Sequence, residues 1–154
     1  MKTASKDTLA AQCIAVSTTC AAMHLRRASR AMNQMYAAIL KPTGLQPTQF
    51  TLLTACVVGG PMPMNTLAKA LVMDRTTLAR NLKPLEKQGL VKIAMGGDRR
   101  VRIVTLTDKG RMAIARALPL WEQAQERVTA LFGQEPLDLL LREVARLVTR
   151  VQHN

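Results

Sequence analysis

At 154 residues and 48% apolar side chains, the chain can bury a real core and is not disordered by composition. Aromatic residues make up only 3%, which leaves that core to Leu, Val, Ala and Met and favours helix packed on helix. A formal charge of +12, from 22 Lys and Arg against 10 Asp and Glu, calls for a polyanionic partner, either nucleic acid or an anionic membrane surface.

In chain order, the opening MKTASKDTLA has no apolar run, so no secretory signal is expected. From about Asp7 to Leu40 there is neither Gly nor Pro, which predicts one long helix. Leu9, Cys13, Val16, Cys20 and Met23 step alternately by 4 and 3 and form a heptad-like seam. The seam resumes at Ala28, Met32, Met35 and Ile39, so the helix should pack on several neighbours or on a second chain. Lys41 to Gly44 ends it. A second helix is predicted from about Pro47 to Val58, with Pro47 in its first turn and Gly59-Gly60-Pro61 as its stop. Residues 42–68 carry no charge, but Pro42, Pro47, Pro61, Pro63 and the Gly pair interrupt them too often for a membrane span.

A short helix follows from about Asn65, its expected N-cap, to Leu71. Asp74 is the expected N-cap of the next helix, which should run to about Gln88 and stop at Gly89. In that helix Leu78, Leu82 and Leu85 form an apolar stripe, and Arg75, Thr76, Ala79, Arg80 and Lys83 occupy the other side. Two strand-like runs, 90–93 and 101–107, flank Gly96-Gly97-Asp98 and predict a hairpin. Asp108 is the expected cap of a helix to about Leu131, kinked at Pro119. After Gly133 a last helix, about 136–151, carries Leu137, Leu140, Leu141, Val144, Leu147, Val148 and Val151, too many apolar groups for a lone surface helix.

The predicted fold is therefore mainly α with a small β-hairpin (α+β): a long helix, three helices, a hairpin and two helices. Helix, tight turn, second helix and glycine-tipped basic hairpin form the layout of a winged helix-turn-helix. Residues 45–107 would be this DNA-binding region, and 1–44 and 108–154 dimerisation helices within one compact domain. Charge follows the same division. Residues 74–111 hold ten basic and four acidic groups, half of the excess in about a quarter of the chain.

Asp98-Arg-Arg100 followed by Leu106-Thr107-Asp-Lys-Gly110 resembles the D-x-R wing and L-T-x-x-G helix entry of the MarR family (multiple-antibiotic-resistance regulators). Leu67-Ala68, Asp74-Arg-Thr-Thr-Leu-Ala-Arg80 and Leu85-Glu-Lys-Gln-Gly-Leu-Val91 are similar to its helix-turn-helix, and Gly44 to Phe50 to the segment before it. The resemblance implies a homodimer on a pseudo-palindromic operator in double-stranded DNA, commonly a repressor relieved by a small molecule or oxidant.

Side chains on the exposed face of the helix that Asp74 caps, the recognition helix of the motif, would reach base edges in the major groove. Arg80 is the candidate for a bidentate guanine contact. Arg75, Thr76, Thr77 and Asn81 are candidates near the helix start, and Lys83 for phosphate. Asn81 is equally readable as a surface polar group, and Thr77 as support for the cap. At the wing, Gly96-Gly97 permits a tight turn, and Asp98 is expected to hold Arg100 by a charge-assisted bond. The resemblance implies that Arg100 probes the minor groove. Arg99 and Arg102 then face the backbone, because strand residues alternate.

For the signal, Met23, His24 and Arg27 are candidates to hold an aromatic acid or phenol, although a lone His is more often an ordinary surface residue. Cys13 and Cys20 are redox candidates. Seven residues apart, about 10 Å along a helix at about 1.5 Å per residue, they cannot bridge within one helix, and a bridge between subunits stays open. Both also suit the apolar seam as small buried groups, the favoured reading. The three cysteines, with Cys56, lack C-x-x-C spacing and imply a reducing cytoplasm. No nucleotide loop, paired carboxylates, Ser/Cys–His arrangement or metal-ligand spacing points to an enzyme or a cofactor. A membrane anchor would need to free the Leu stripe that the core requires. A nonspecific or architectural DNA-binding protein is the alternative function.

Overall fold

The structure, a computed structural model, describes residues 6–153; residues 1–5 and 154 lie outside it. The chain divides into two compact units, residues 1–35 and 36–154.

In the first unit the expected single helix is two. Helix α1 (Lys6–Thr19) and helix α2 (Ala21–Leu40) are separated at Cys20 and bent by 56°. No Gly or Pro causes this. The Ser17 hydroxyl donates to the Ile14 carbonyl and that of Thr19 to the Ala15 carbonyl, each at 2.8 Å. Thr18 bonds back to the same turn. Three consecutive hydroxyls competing for backbone acceptors bend a helix that its apolar spacing alone would leave straight. The break divides the seam at Cys20, and Leu9, Cys13, Val16 and Met23 are exposed in the chain by itself.

The second unit holds the core. The last turn of α2 enters it with Leu40, fully buried, and a 3₁₀ turn (Lys41–Thr43) ends at Gly44, whose φ of 74° suits glycine. Helix α3 (Pro47–Gly59) opens with a reciprocal capping box between Gln46 and Gln49. Strand β1 (Met62–Pro63) leads directly into helix α4 (Met64–Ala70), and helix α5 (Arg75–Lys87) follows. Strands β2 (Val91–Met95) and β3 (Arg102–Leu106) form the wing. They join β1 in a three-stranded antiparallel sheet of order β1-β3-β2, with Met62 opposite Val104 and Met95 opposite Arg102. Helices α6 (Asp108–Phe132) and α7 (Gln134–Gln152) complete the chain. Leu52, Leu53, Leu67, Leu78, Leu82, Leu85 and Val104 form the centre of the core, all fully buried. The leucine stripe predicted for α5 is its core face.

Two predicted caps are corrected. Pro63, rather than Asn65, precedes α4, because pairing with Ile103 keeps Pro63 extended and the helix starts at the next residue. Thr107, rather than Asp108, caps α6: its hydroxyl accepts from the Gly110 amide at 3.1 Å, and Asp108 sits in the first turn. Pro119 does not interrupt α6, although its ring removes one helical donor. No single described helix is long and apolar enough to cross a membrane; α1 and α2 approach that composition only as a bent pair.

Candidate nucleic-acid interface

The turn between α4 and α5 is closed by backbone bonds from Val72 to Lys69 and from Met73 to Ala68. Asp74 then starts α5. Its carboxylate accepts from the Thr77 amide at 2.8 Å and from the Thr77 hydroxyl at 2.6 Å. These bonds from Thr77 hold the Asp74 carboxyl below its ordinary value of 3.8. The Thr77 hydroxyl is therefore engaged in the cap. Arg75, Thr76, Ala79, Arg80 and Lys83 are exposed along the side of α5 opposite its leucines, and Asn81 is half-buried.

The C-terminal end of α5 is tied to α6. The Thr107 hydroxyl donates to the Gly89 carbonyl at 2.7 Å, and Lys109 Nζ to the Gln88 carbonyl at 2.8 Å. Gly110 lies against the Leu90 carbonyl, and a methyl group there would come within 2.2 Å of that oxygen. The L-T-x-x-G motif thus has a physical meaning: Leu106 is buried, Thr107 caps and clamps, and Gly110 lets two backbones touch.

At the wing tip, the Gly96 amide donates to the Val101 carbonyl at 2.8 Å and the Val101 amide to that of Asp98 at 2.9 Å. Asp98 Oδ1 accepts from the backbone amide of Arg100 at 2.9 Å. The expected charge-assisted bond to the Arg100 guanidinium is replaced by this turn contact; the ion pair among the described residues is Arg146–Glu143. Asp98 shapes the loop and leaves the guanidinium of Arg100 free. Arg99 and Arg100 lie in the turn before β3 starts at Arg102, so the strand alternation used to orient Arg99 does not apply to it. All three arginines are exposed.

The fold brings the start of α5 and the root of the wing together. Arg75, Arg100 and Arg102 line one cleft of about 100 Å³ with Pro63, Met64, Asn65 and Val101. Sequence reading assigned Asn65 to a cap and missed it as a wall of this cleft. A two-residue strand such as β1 leaves no periodicity by which to find it.

The other candidates lie in the first unit. His24 Nε2 donates across the helix break to the Thr18 carbonyl at 3.1 Å, which engages the ring in the local fold. Met23 and Arg27 are exposed on α2, Cys13 is exposed on α1, and Cys20 is half-buried at the break. Cys56 is buried in the core, and burial pushes its thiol up.

A leucine-backed helix presenting basic side chains beside an arginine-rich hairpin defines a winged-helix DNA-binding protein. The MarR family model matches residues 43–101. The M. tuberculosis transcriptional regulator MosR, solved in complex with DNA, is 38% identical over 87% of this chain and 97% of its own, with a TM-score of 0.79. The transcriptional repressor CouR on a 23-mer DNA duplex is 29% identical over 86% of this chain and 95% of its own, at a TM-score of 0.77; CouR has also been solved bound to p-coumaroyl-CoA. A Bacillus subtilis HTH-type transcriptional regulator, YdgJ, is 28% identical over 72% of this chain and 68% of its own length. The chain belongs to the MarR family and is a transcriptional regulator.

Proposed function

We propose that the chain is a cytoplasmic, homodimeric repressor that binds a pseudo-palindromic operator and leaves it when a small ligand binds. The observation that carries this reading is the pairing of the exposed α5 face with the free arginines of the wing. Arg80 reads guanine in the major groove, Arg75, Thr76 and Asn81 contact bases or phosphates around it and Lys83 meets phosphate, while Thr77, first a candidate contact, supports the Asp74 cap. Arg100 enters the minor groove, with Arg99 and Arg102 on the flanking backbone. Residues 45–107 form the DNA-binding region, and 1–44 and 108–154 the dimerisation helices. Exposed Leu131, Phe132, Leu140, Leu141 and Val151 on α6 and α7 support the last assignment, because so much uncovered apolar surface calls for a partner.

Ligand release is supported by CouR, which has been solved both on a DNA duplex and bound to p-coumaroyl-CoA. For this chain the ligand is a small aromatic or phenolic compound held near Met23 and Arg27, with His24 positioned by Thr18. Cys13 and Cys20 on these helices are the candidates for oxidation as a second signal, read by two subunits rather than one. Competition separates the repressor from an architectural DNA-binding protein. Arg80→Ala is expected to reduce the preference for operator over scrambled DNA by about 1–3 kcal/mol. Arg100→Ala is expected to weaken operator binding with the dimer intact. Equal loss on both DNAs for Arg80→Ala, or unchanged affinity for Arg100→Ala across a salt series, would overturn these assignments.

A further inference from the structure

The cleft at the wing root collects three guanidinium-bearing residues from distant parts of the sequence. Arg75 comes from the start of α5, Arg100 from the wing turn and Arg102 from the start of β3; Asn65 comes from α4. No carboxylate is among the lining residues. The two nearest acids in sequence are engaged elsewhere: Asp74 accepts from Thr77, and Asp98 from the Arg100 amide. Like charges brought to one small cleft repel, and an anion seated among them converts that repulsion into charge-assisted hydrogen bonds. The cleft, of about 100 Å³, has room for one compact tetrahedral anion. Planar guanidinium forks match phosphoryl oxygens in pairs, and the Asn65 amide supplies a neutral donor.

We propose that this cleft is a seat for a single phosphate group, shared by Arg75, Arg102 and Asn65, with Arg100 at its rim. The proposal rests on the DNA-binding reading for its first source of phosphate, a phosphodiester of the duplex backbone. The second source is a free phosphate or the phosphate of a small metabolite, which would compete with DNA for the seat. A shared seat differs from two independent contacts. It fixes the recognition helix and the wing to the same backbone position and so sets the register between the two grooves.

The test is a set of salt-dependent anisotropy titrations on a generic duplex, where phosphate contacts dominate. Wild type, Arg75→Gln, Arg102→Gln and the double variant are compared, with each fold checked by circular dichroism. Each neutralised phosphate contact removes about 0.9 from the slope of log affinity against log salt. A shared seat predicts that the double variant loses about one such step in total, where two independent contacts would lose two, and that each single variant loses less than a full step because the remaining arginine still pairs the phosphate. Additive slopes, with the double variant losing two steps, or no loss in the double variant, overturn the backbone source. A second arm needs no DNA. Inorganic phosphate, but not chloride at equal ionic strength, should shift the Asn65 side-chain amide resonance of ¹⁵N-labelled protein, and Arg102→Gln should abolish the shift. If wild type binds no duplex, the DNA reading fails and this arm decides the seat alone; the absence of a phosphate-specific shift there overturns it. A phosphate shift with additive DNA slopes assigns the cleft to a free phosphate and overturns the backbone source.

Discussion

Val72 adopts a φ of +53° in the turn between α4 and α5, the positive value outside glycine among the described residues. A β-branched side chain is the least suited to that region, and the tight helix-turn-helix connection imposes it. Val72 is largely exposed, so it returns little through packing. Val72→Gly is expected to stabilise the fold by about 1 kcal/mol net, strain relief outweighing the added freedom of the unfolded chain. Chemical denaturation checks this, and a destabilised variant would show that the side chain packs. Asp74, two residues on, has a carboxyl held low by Thr77. Its folded value lies below its unfolded one, so its stabilisation is present above the unfolded value near 4 and is lost as pH falls through the folded value. The melting temperature of wild type should therefore exceed that of Asp74→Ala at neutral pH, and the gap should close below about pH 4. A gap unchanged in acid would mean that the ionised carboxylate is not what caps α5.

At the scale of elements, the junction of α5, β2 and α6 decides how rigidly the recognition helix is presented. Gly110 has no room for a side chain, because the Leu90 carbonyl and the Leu106 side chain occupy the place of its Cβ. Gly110→Ala should cost about 3 kcal/mol and loosen α5 from α6 together. A variant with wild-type stability would mean that the two backbones separate without penalty. Most elements were legible in the sequence because strong local signals agreed: the Leu78-Leu82-Leu85 stripe, Asp74 before its helix, glycines at 96 and 97 between alternating runs. What was not legible depended on partners far along the chain or on competition within a turn. Strand β1 exists because β3 is there to pair with it. The break at Cys20 comes from three hydroxyls outcompeting a heptad pattern that favours continuity. The role of Asp98 was misread for a related reason, since a nearby backbone amide captured a carboxylate that charge alone assigned to a guanidinium. The site followed the same rule. The α5 and wing arginines could be named from order and spacing, whereas their meeting with Asn65 in one cleft is a product of tertiary structure.

For the whole molecule, the apolar residues left over by the core are the main argument for a partner. Leu131 and Val151 are 72% and 70% exposed, and α7 carries Leu140, Leu141, Val144, Leu147, Val148 and Val151 on the face opposite Arg142, Arg146 and Arg150. A second copy covering these faces would place two recognition helices on one operator. The purified chain should sediment as a dimer, and Leu141→Glu together with Leu147→Glu should yield monomers with weakened DNA binding. A wild-type monomer at micromolar concentration would contradict this arrangement. The charge of +12, half of it within residues 74–111, makes affinity for DNA steeply dependent on salt and so demands a specificity control. The most direct measurement is fluorescence anisotropy on DNA from upstream of the chain's own gene, with scrambled DNA as competitor, across a salt series. A sequence-specific regulator predicts a steep salt slope and preference for one sequence by several orders of magnitude. Equal, weak binding to both DNAs, there and across a library of genomic fragments, would contradict it.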